Sequence, residues 1–259
     1  MYNAGYRRIL SRMGYYSYQN GLIYRHLNQE GGWDEHLLRC RSYILGAIEH
    51  FKPGKVTILG SGWLLDLPLA EIVEKTGEVK LVDIIHPPEV VRQVADFRNV
   101  DLIEDDVSGG LIEEVWTRTR GYSFLTKMRS LDGIRVPVYK PEFDPGMVIS
   151  LNLLTQLEIL PLELIKKRSK VSEEEIAAFR KTVQENHLNF LSGYRSVMIS
   201  DVEEVHTGND GAVTSIPTLF ARVPDGGRTE DWTWNFDLKG SDFYNSRSVM
   251  KVIAVTFGE

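Results

Sequence analysis

The stretch Val56–Ile72, VTILGSGWLLDLPLAEI, decides the fold. An apolar strand candidate, Val56–Leu59, runs into Gly60-Ser61-Gly62, and a helix candidate opens near Leu67-Pro68. Strand, glycine turn and helix in that order build a site for one small ligand group. Glycine lets the backbone come close to a ligand. A helix start adds free N–H groups and a partial positive charge. The group expected against Gly60–Gly62 is therefore anionic or carries a carboxylate. The dinucleotide fingerprint G-x-G-x-x-G is incomplete here, because Leu64 and Leu65 follow the second glycine. Taken alone, the three residues also fit an ordinary strand-to-helix turn.

The flanking sequence repeats the rhythm. The helix candidate runs from Leu67 to about Lys75 and stops at Gly77, with Pro68 suited to a first turn and Gly77 to a cap. A second apolar run, Val79–Ile85, carries Asp83 near its end, about 20 residues beyond the first glycine. That is the distance at which an acid meets ribose hydroxyls in dinucleotide folds, and a carboxylate can accept two hydrogen bonds from a vicinal diol. Capping the next helix is the alternative role for Asp83. Glu89–Phe97 reads as a helix, and Val100–Ile103 as a strand ending in Glu104-Asp105-Asp106. Met147–Leu151 and Val197–Val202 read as fourth and fifth strands. Strands alternating with helices predict a parallel sheet covered on both faces. Ligands bind such sheets at the carboxyl ends of the strands, where Gly60–Gly62, Asp83, Asp105–Asp106 and Asn152 all fall.

With these residues in place, the chain from Lys55 to Glu259 resembles the class I S-adenosylmethionine-dependent methyltransferases. The resemblance rests on LGSG (Leu59–Gly62), VDIIHP (Val82–Pro87), EDDV (Glu104–Val107) and VISLNLL (Val148–Leu154). It also rests on a C-terminal hairpin, Trp232–Leu238 with Val249–Phe257, where a dinucleotide-binding dehydrogenase would continue with helix and parallel strand. The fold it implies is α/β: a doubly wound, mostly parallel seven-stranded sheet with a C-terminal antiparallel hairpin and an N-terminal helical extension. Residues 1–54 would form the helical cap and residues 55–259 the Rossmann-like domain that binds S-adenosyl-L-methionine. The resemblance implies that Gly60, Ser61 and Gly62 pack against the methionine part of that cofactor. Asp83 would hold the ribose with Ile84 beside the adenine. Asp106 or Asp105 would meet the adenine amino group, with Val107 donating from its backbone, and Leu151 and Asn152 would floor the sulfonium.

The pattern also departs from the family. Ile58 stands where an acid often precedes the first glycine, and Leu64 where a third glycine is usual. Asp66 reads as a helix N-cap and Trp63 as a cofactor wall or core residue. The fourth motif lacks the Asn/Asp-Pro-Pro-aromatic run used on base or amide nitrogens. His86-Pro87-Pro88 follows the second strand and does not replace it.

Composition bounds the rest. The 259 residues suffice for one large core with an appendage, and 42% hydrophobic with 25% charged residues is ordinary for a globular protein. A single cysteine, Cys40, excludes an internal disulfide and fits a reducing, cytoplasmic setting. The N-terminal MYNAGYRRILSRMG has no long apolar core, so neither a signal peptide nor a membrane span is expected. The net charge of −6 argues against a duplex-binding protein, and the acceptor expected of a methyltransferase here is a small molecule. Residues 1–52 carry seven Lys/Arg against four Asp/Glu and are rich in tyrosine, which suits either a solvated helical face or an anionic substrate.

Asp34 reads as the cap of a helix over Glu35–Phe51 whose stripe contains Leu37, Ile44 and Ile48. Residues 108–146 read as a helix and then a loop carrying Tyr122, Phe124, Arg129 and Tyr139. Ser172 and Glu175 form a capping box opening a helix to about Leu191, with His187 on its apolar face. Residues 203–231 read as loops.

Methyl transfer is largely positioning, assisted by a base when the acceptor must lose a proton. Asn152, His86 and His206 are the candidates near strand ends; an amide orients but does not titrate. The six histidines show no paired metal-ligand spacing, so no metal is expected. Two further readings stay open: transfer of the cofactor's aminocarboxypropyl chain, and a non-catalytic binding module on a degenerate scaffold.

Overall fold

A computed structural model describes residues 2–123, 125–240 and 246–258. Three helices come first: α1 (Ala4–Met13), α2 (Tyr15–Asn28) and α3 (Asp34–Phe51). The sheet then begins with β1 (Lys55–Leu59), α4 (Leu69–Lys75), β2 (Glu78–Asp83), α5 (Pro88–Val94), β3 (Val100–Glu104) and α6 (Leu111–Thr119). After a long irregular segment come β4 (Met147–Leu151), α7 (Ile159–Arg168), α8 (Glu173–Ser192), β5 (Ser196–Thr207), β6 (Val213–Pro217), β7 (Thr229–Asp237) and β8 (Arg247–Phe257). Phe124, noted above in that segment, lies outside the described residues.

The strand order is β3-β2-β1-β4-β5-β8-β7. The first five strands are parallel, and β8 runs antiparallel between β5 and β7. This is the doubly wound, Rossmann-like arrangement expected from the sequence, with its C-terminal antiparallel hairpin. One strand exceeds the seven expected. Residues 203–231 are not all loop, because β5 continues past a bulge at Asp201/Glu203 and pairs with the short β6.

Successive strand side chains point to opposite faces, and the core divides accordingly. Ile58, Leu81, Val197 and Ile199 face a cluster shared with α3, α4 and α5. Leu59, Val82, Val148 and Met198 face a second cluster shared with α6, α7 and α8. Trp33, Cys40, Tyr43, Ile44 and Ile48 belong to the first cluster, so α3 is a layer of the main core. The helices α1 and α2 stand apart from both: Leu10 and Met13 pack on Ile112, with Tyr15 against them, in a small third cluster. No described helix is long and apolar enough to cross a membrane.

Helix ends follow local chemistry, with three corrections, the first being that an extended Thr76 and not Gly77 caps α4. The Ser172–Glu175 capping box is present. Asp34 lies inside the first turn of α3, where its charge suits the helix dipole, and Trp33 occupies the cap position. Asp66 does not cap α4 either: Pro68 holds that place, and Asp66 is engaged elsewhere.

His187 is a core residue. It is 3% exposed and lies 2.8 Å from Ser150 Oγ through Nε2. Burial disfavours its charged form and lowers its pKa to about 4. As pH falls through about 6.5 the unfolded chain takes up a proton that the folded chain refuses until about 4, so this contribution holds above 6.5 and is lost on acidification. Replacing His187→Gln should shrink the loss of unfolding free energy between pH 7 and pH 5 by roughly 2 kcal/mol. Denaturant titrations at the two pH values measure this, and an equal loss in both proteins would contradict it.

Candidate functional site

The carboxyl ends of β1, β2, β3 and β4 open into one cleft. Gly60, Ser61, Gly62, Asp83, Ile84, Asp105, Asp106, Val107, Leu151 and Asn152 all line it. The structure thus brings together the ten residues the sequence proposed for a cofactor. It also adds a second half, supplied mainly by the N-terminal helices expected as a cap. Tyr15, Tyr18, Gln19 and Leu22 of α2, His36 and Leu37 of α3, and Trp234 of β7 close the other side.

The glycine turn is built by backbone geometry. Gly60 and Gly62 have φ of 78° and 50°, in the left-handed region. A Cβ on Gly60 would sit 2.9 Å from the Leu151 carbonyl oxygen, so the turn closes against the end of β4. Asp83 braces this turn. Its two carboxylate oxygens accept from Gly62 N–H at 2.8 Å and Ile84 N–H at 2.7 Å. Burial nevertheless raises its pKa, these backbone donors and His86 opposing the shift. Trp63 donates its indole N–H to the Gln19 carbonyl at 2.9 Å and ties α2 to the same turn.

The acids at the end of β3 are already engaged. Asp106 accepts from Tyr6 Oη at 2.9 Å, Ser108 N–H at 3.0 Å and the Ser108 hydroxyl. Asp105 accepts from Tyr139 Oη at 2.8 Å and from Asp106 N–H at 2.9 Å. Tyr6 stays protonated, since burial and then Asp106 push its pKa far up. It therefore pins α1 over this end of the cleft.

Asn152, with φ of 48°, lies at the centre of a second network. Its amide nitrogen is 2.7 Å from Asp66 Oδ2 and 3.1 Å from His36 Nε2. His36 Nδ1 faces the Trp232 indole nitrogen at 3.0 Å, and its ring stacks on Trp234 at 3.9 Å. An indole nitrogen only donates, so Nδ1 accepts and Nε2 carries the proton of the neutral ring. Neutrality follows from burial, which lowers the His36 pKa to about 3.

His36, Cys40 and Asp66 bring their ligand atoms within 4.8 Å of one another. They do not suit a metal ion. The His36 atom nearer Cys40 is the protonated Nε2, and the Asn152 amide nitrogen lies against both His36 and Asp66. The sequence signal for this cluster was the i,i+4 spacing of His36 and Cys40 on one helix, which a search for histidine pairs passes over.

Two proposed catalytic residues do not reach the cleft. The His86 ring turns toward β3 and sits 3.1 Å from the Ile103 carbonyl oxygen. His206 is carried away because β5 runs on beyond Val202; it pairs with Glu204 at 3.2 Å on that extension.

The chemistry of the cleft is one-sided. Asp66, Asp83, Asp105 and Asp106 line it, with no lysine or arginine among the described residues doing so. Four buried polar atoms on its wall have no hydrogen-bond partner: Gln19 Nε2, Ser61 Oγ, Asn152 Oδ1 and Trp234 Nε1. Buried groups of this kind are usually satisfied, so each marks a place where a ligand would bond.

No protein-family model matches the chain, and no curated protein matches its sequence. Among solved structures, the chain is similar to the DhpI–SAH complex, with 11% identity over 97% of this chain and 98% of that one and a TM-score of 0.36. It is also similar to the methyltransferase domain of bacterial CtHen1, at 9% identity over 84% and 100% with a TM-score of 0.34. An rRNA methylase from Streptococcus thermophilus matches at 10% over 79% and 89%, with a TM-score of 0.28.

The turn geometry is testable. Gly60→Ala forces a side chain into the left-handed region and against Leu151, and should cost about 1–3 kcal/mol. Gly54→Ala, with open space around its Cβ, should leave Tm nearly unchanged. Thermal melts of the two variants check the contrast; equal melting temperatures would contradict it.

Proposed function

We propose that the protein is an S-adenosylmethionine-dependent methyltransferase acting on a small acceptor that is neutral or cationic. The observation that carries the reading is the composition of the cleft at the carboxyl edge of the sheet: four aspartates, no basic side chain among the described residues, and four unpartnered polar atoms on its wall. A sulfonium with an ammonium group suits an acidic wall. A pyrophosphate does not, which weighs against a nicotinamide-linked dehydrogenase.

The residues divide along the strand order. Ser61 Oγ and the backbone of Gly60–Gly62 hold the amino-acid tail at the end of β1. Asp83 at the end of β2 accepts from the ribose hydroxyls with the lone pairs left free by its two backbone donors. Ile84 and Asp105–Val107 flank the adenine toward β3. Leu151 and Asn152 at the end of β4 lie beneath the sulfur. When bound, the cofactor supplies an activated methyl group. The chain's own work is to orient it, exclude water and place the acceptor in line.

The acceptor end is walled by Trp33, His36, Leu37, Trp63 and Trp234, with Asp66 as its acid. Such a wall favours a small planar or aliphatic hydroxyl or amine over a phosphate-bearing nucleic acid. Transfer of the aminocarboxypropyl chain would use the same cofactor and leave methylthioadenosine in place of S-adenosylhomocysteine, so product analysis separates the two.

Calorimetry with S-adenosylhomocysteine tests the assignment. Asp83→Asn removes charge while keeping shape, and should weaken binding roughly 10- to 100-fold, the worth of a hydrogen bond to a charged group. Equal affinity in a folded variant would reject the ribose role. No binding at millimolar concentration by the unaltered protein would reject the cofactor and favour a binding module.

A further inference from the structure

We infer that Asp66 is the catalytic base, facing the transferable methyl and taking the proton the acceptor gives up. The inference rests on the cofactor reading above and goes beyond it by assigning the acceptor's proton to an atom.

Three observations converge on Asp66. The first is position. With the sugar at β2 and the adenine toward β3, the order β3-β2-β1-β4 places the sulfur near the ends of β1 and β4. Asp66 is 2.7 Å from Asn152, the first residue beyond β4, and lines the same cleft. The second is the lack of a structural task. Asp66 does not cap α4, and no salt bridge to it is present among the described residues.

The third is that its surroundings suit both protonation states. In the present orientation Asn152 donates its amide N–H to the Asp66 carboxylate; the same nitrogen lies 3.1 Å from His36 Nε2–H, a donor facing a donor, which leaves Cys40 Sγ at 3.5 Å as the acceptor for the histidine. If Asp66 is protonated, turning the Asn152 amide places Oδ1 where both Asp66 O–H and His36 Nε2–H can donate to it. Trp232 fixes the histidine tautomer that this second arrangement needs. A base must be stable before and after it takes a proton, and this network provides for both. Burial raises the Asp66 pKa, in the direction that strengthens a carboxylate base. Asn152 and His36 are then positioning residues.

In the step, the acceptor atom bonds to the methyl carbon while the carbon–sulfur bond breaks and its electron pair returns to sulfur. The proton on the acceptor atom passes to Asp66 and later to solvent. Sulfonium becomes thioether, and charge and atoms balance.

The test uses binding, so it needs no knowledge of the acceptor. Sinefungin carries a protonated amine where the S-methyl group sits, and S-adenosylhomocysteine carries nothing there. An ionised Asp66 facing that position should make the full chain bind sinefungin about tenfold or more tightly than S-adenosylhomocysteine. In Asp66→Asn the two should bind within about twofold of each other, with S-adenosylhomocysteine affinity little changed. Asp66→Ser gives a second reading should the first variant not fold. Equal affinities in the unaltered protein, or a preference that survives both substitutions, would overturn the inference and leave the cofactor reading intact. Failure of both ligands to bind the unaltered protein would instead overturn the cofactor reading.

Discussion

Four aspartates share one cleft, and no lysine or arginine among the described residues lines it with them. Carboxylates buried together raise one another's energy and that of the fold, and burial pushes the pKa of Asp66, Asp83 and Asp106 upward. The surrounding structure is arranged around containing that charge. Backbone N–H groups of Gly62 and Ile84 hold Asp83. Tyr6 and Ser108 hold Asp106, Tyr139 holds Asp105, and Asn152 holds Asp66. Neutral donors stabilise a carboxylate without cancelling its field. The cleft therefore remains a place where a cation is favoured, which is the property a sulfonium cofactor requires.

The N-terminal helices belong to this design. Trp33 donates to the Phe236 carbonyl at 3.0 Å, and Gln29 bonds both Asp237 and the Leu238 N–H. These contacts lock the turn between α2 and α3 onto the end of β7. Tyr6 reaches Asp106 from α1 and Gln19 meets Trp63 from α2. Residues 4–51 thus complete the cleft wall, and one of the tyrosines that make this segment unusual in sequence, Tyr6, supplies a donor to an acid of the sheet.

The sheet was legible because its signals are local. Apolar strand runs and the Ser172–Glu175 box act within a few residues of themselves, and their elements appear where expected. The carboxyl edge was legible for the same reason, since a strand end can be read from the run that precedes it. The network around Asn152 was not. It joins residues 36, 66, 152 and 232, which only the packing of α3 and β7 on the sheet brings together. Asp66 illustrates the limit: Leu67-Pro68 made a helix cap the natural reading, but the chain turns through a left-handed Leu64 and delays the helix to Leu69. His206 failed differently, because nothing local marks that β5 continues across a bulge.

Diffraction from a crystal of the protein with S-adenosylhomocysteine measures the central claim most directly. The account predicts density along the strand ends, with the ribose hydroxyls on Asp83, the amino-acid tail at Ser61 and Gly62, and the sulfur beside Asn152 within reach of Asp66. A nucleoside bound elsewhere, or one bound in this cleft with its sulfur remote from Asn152, would contradict it.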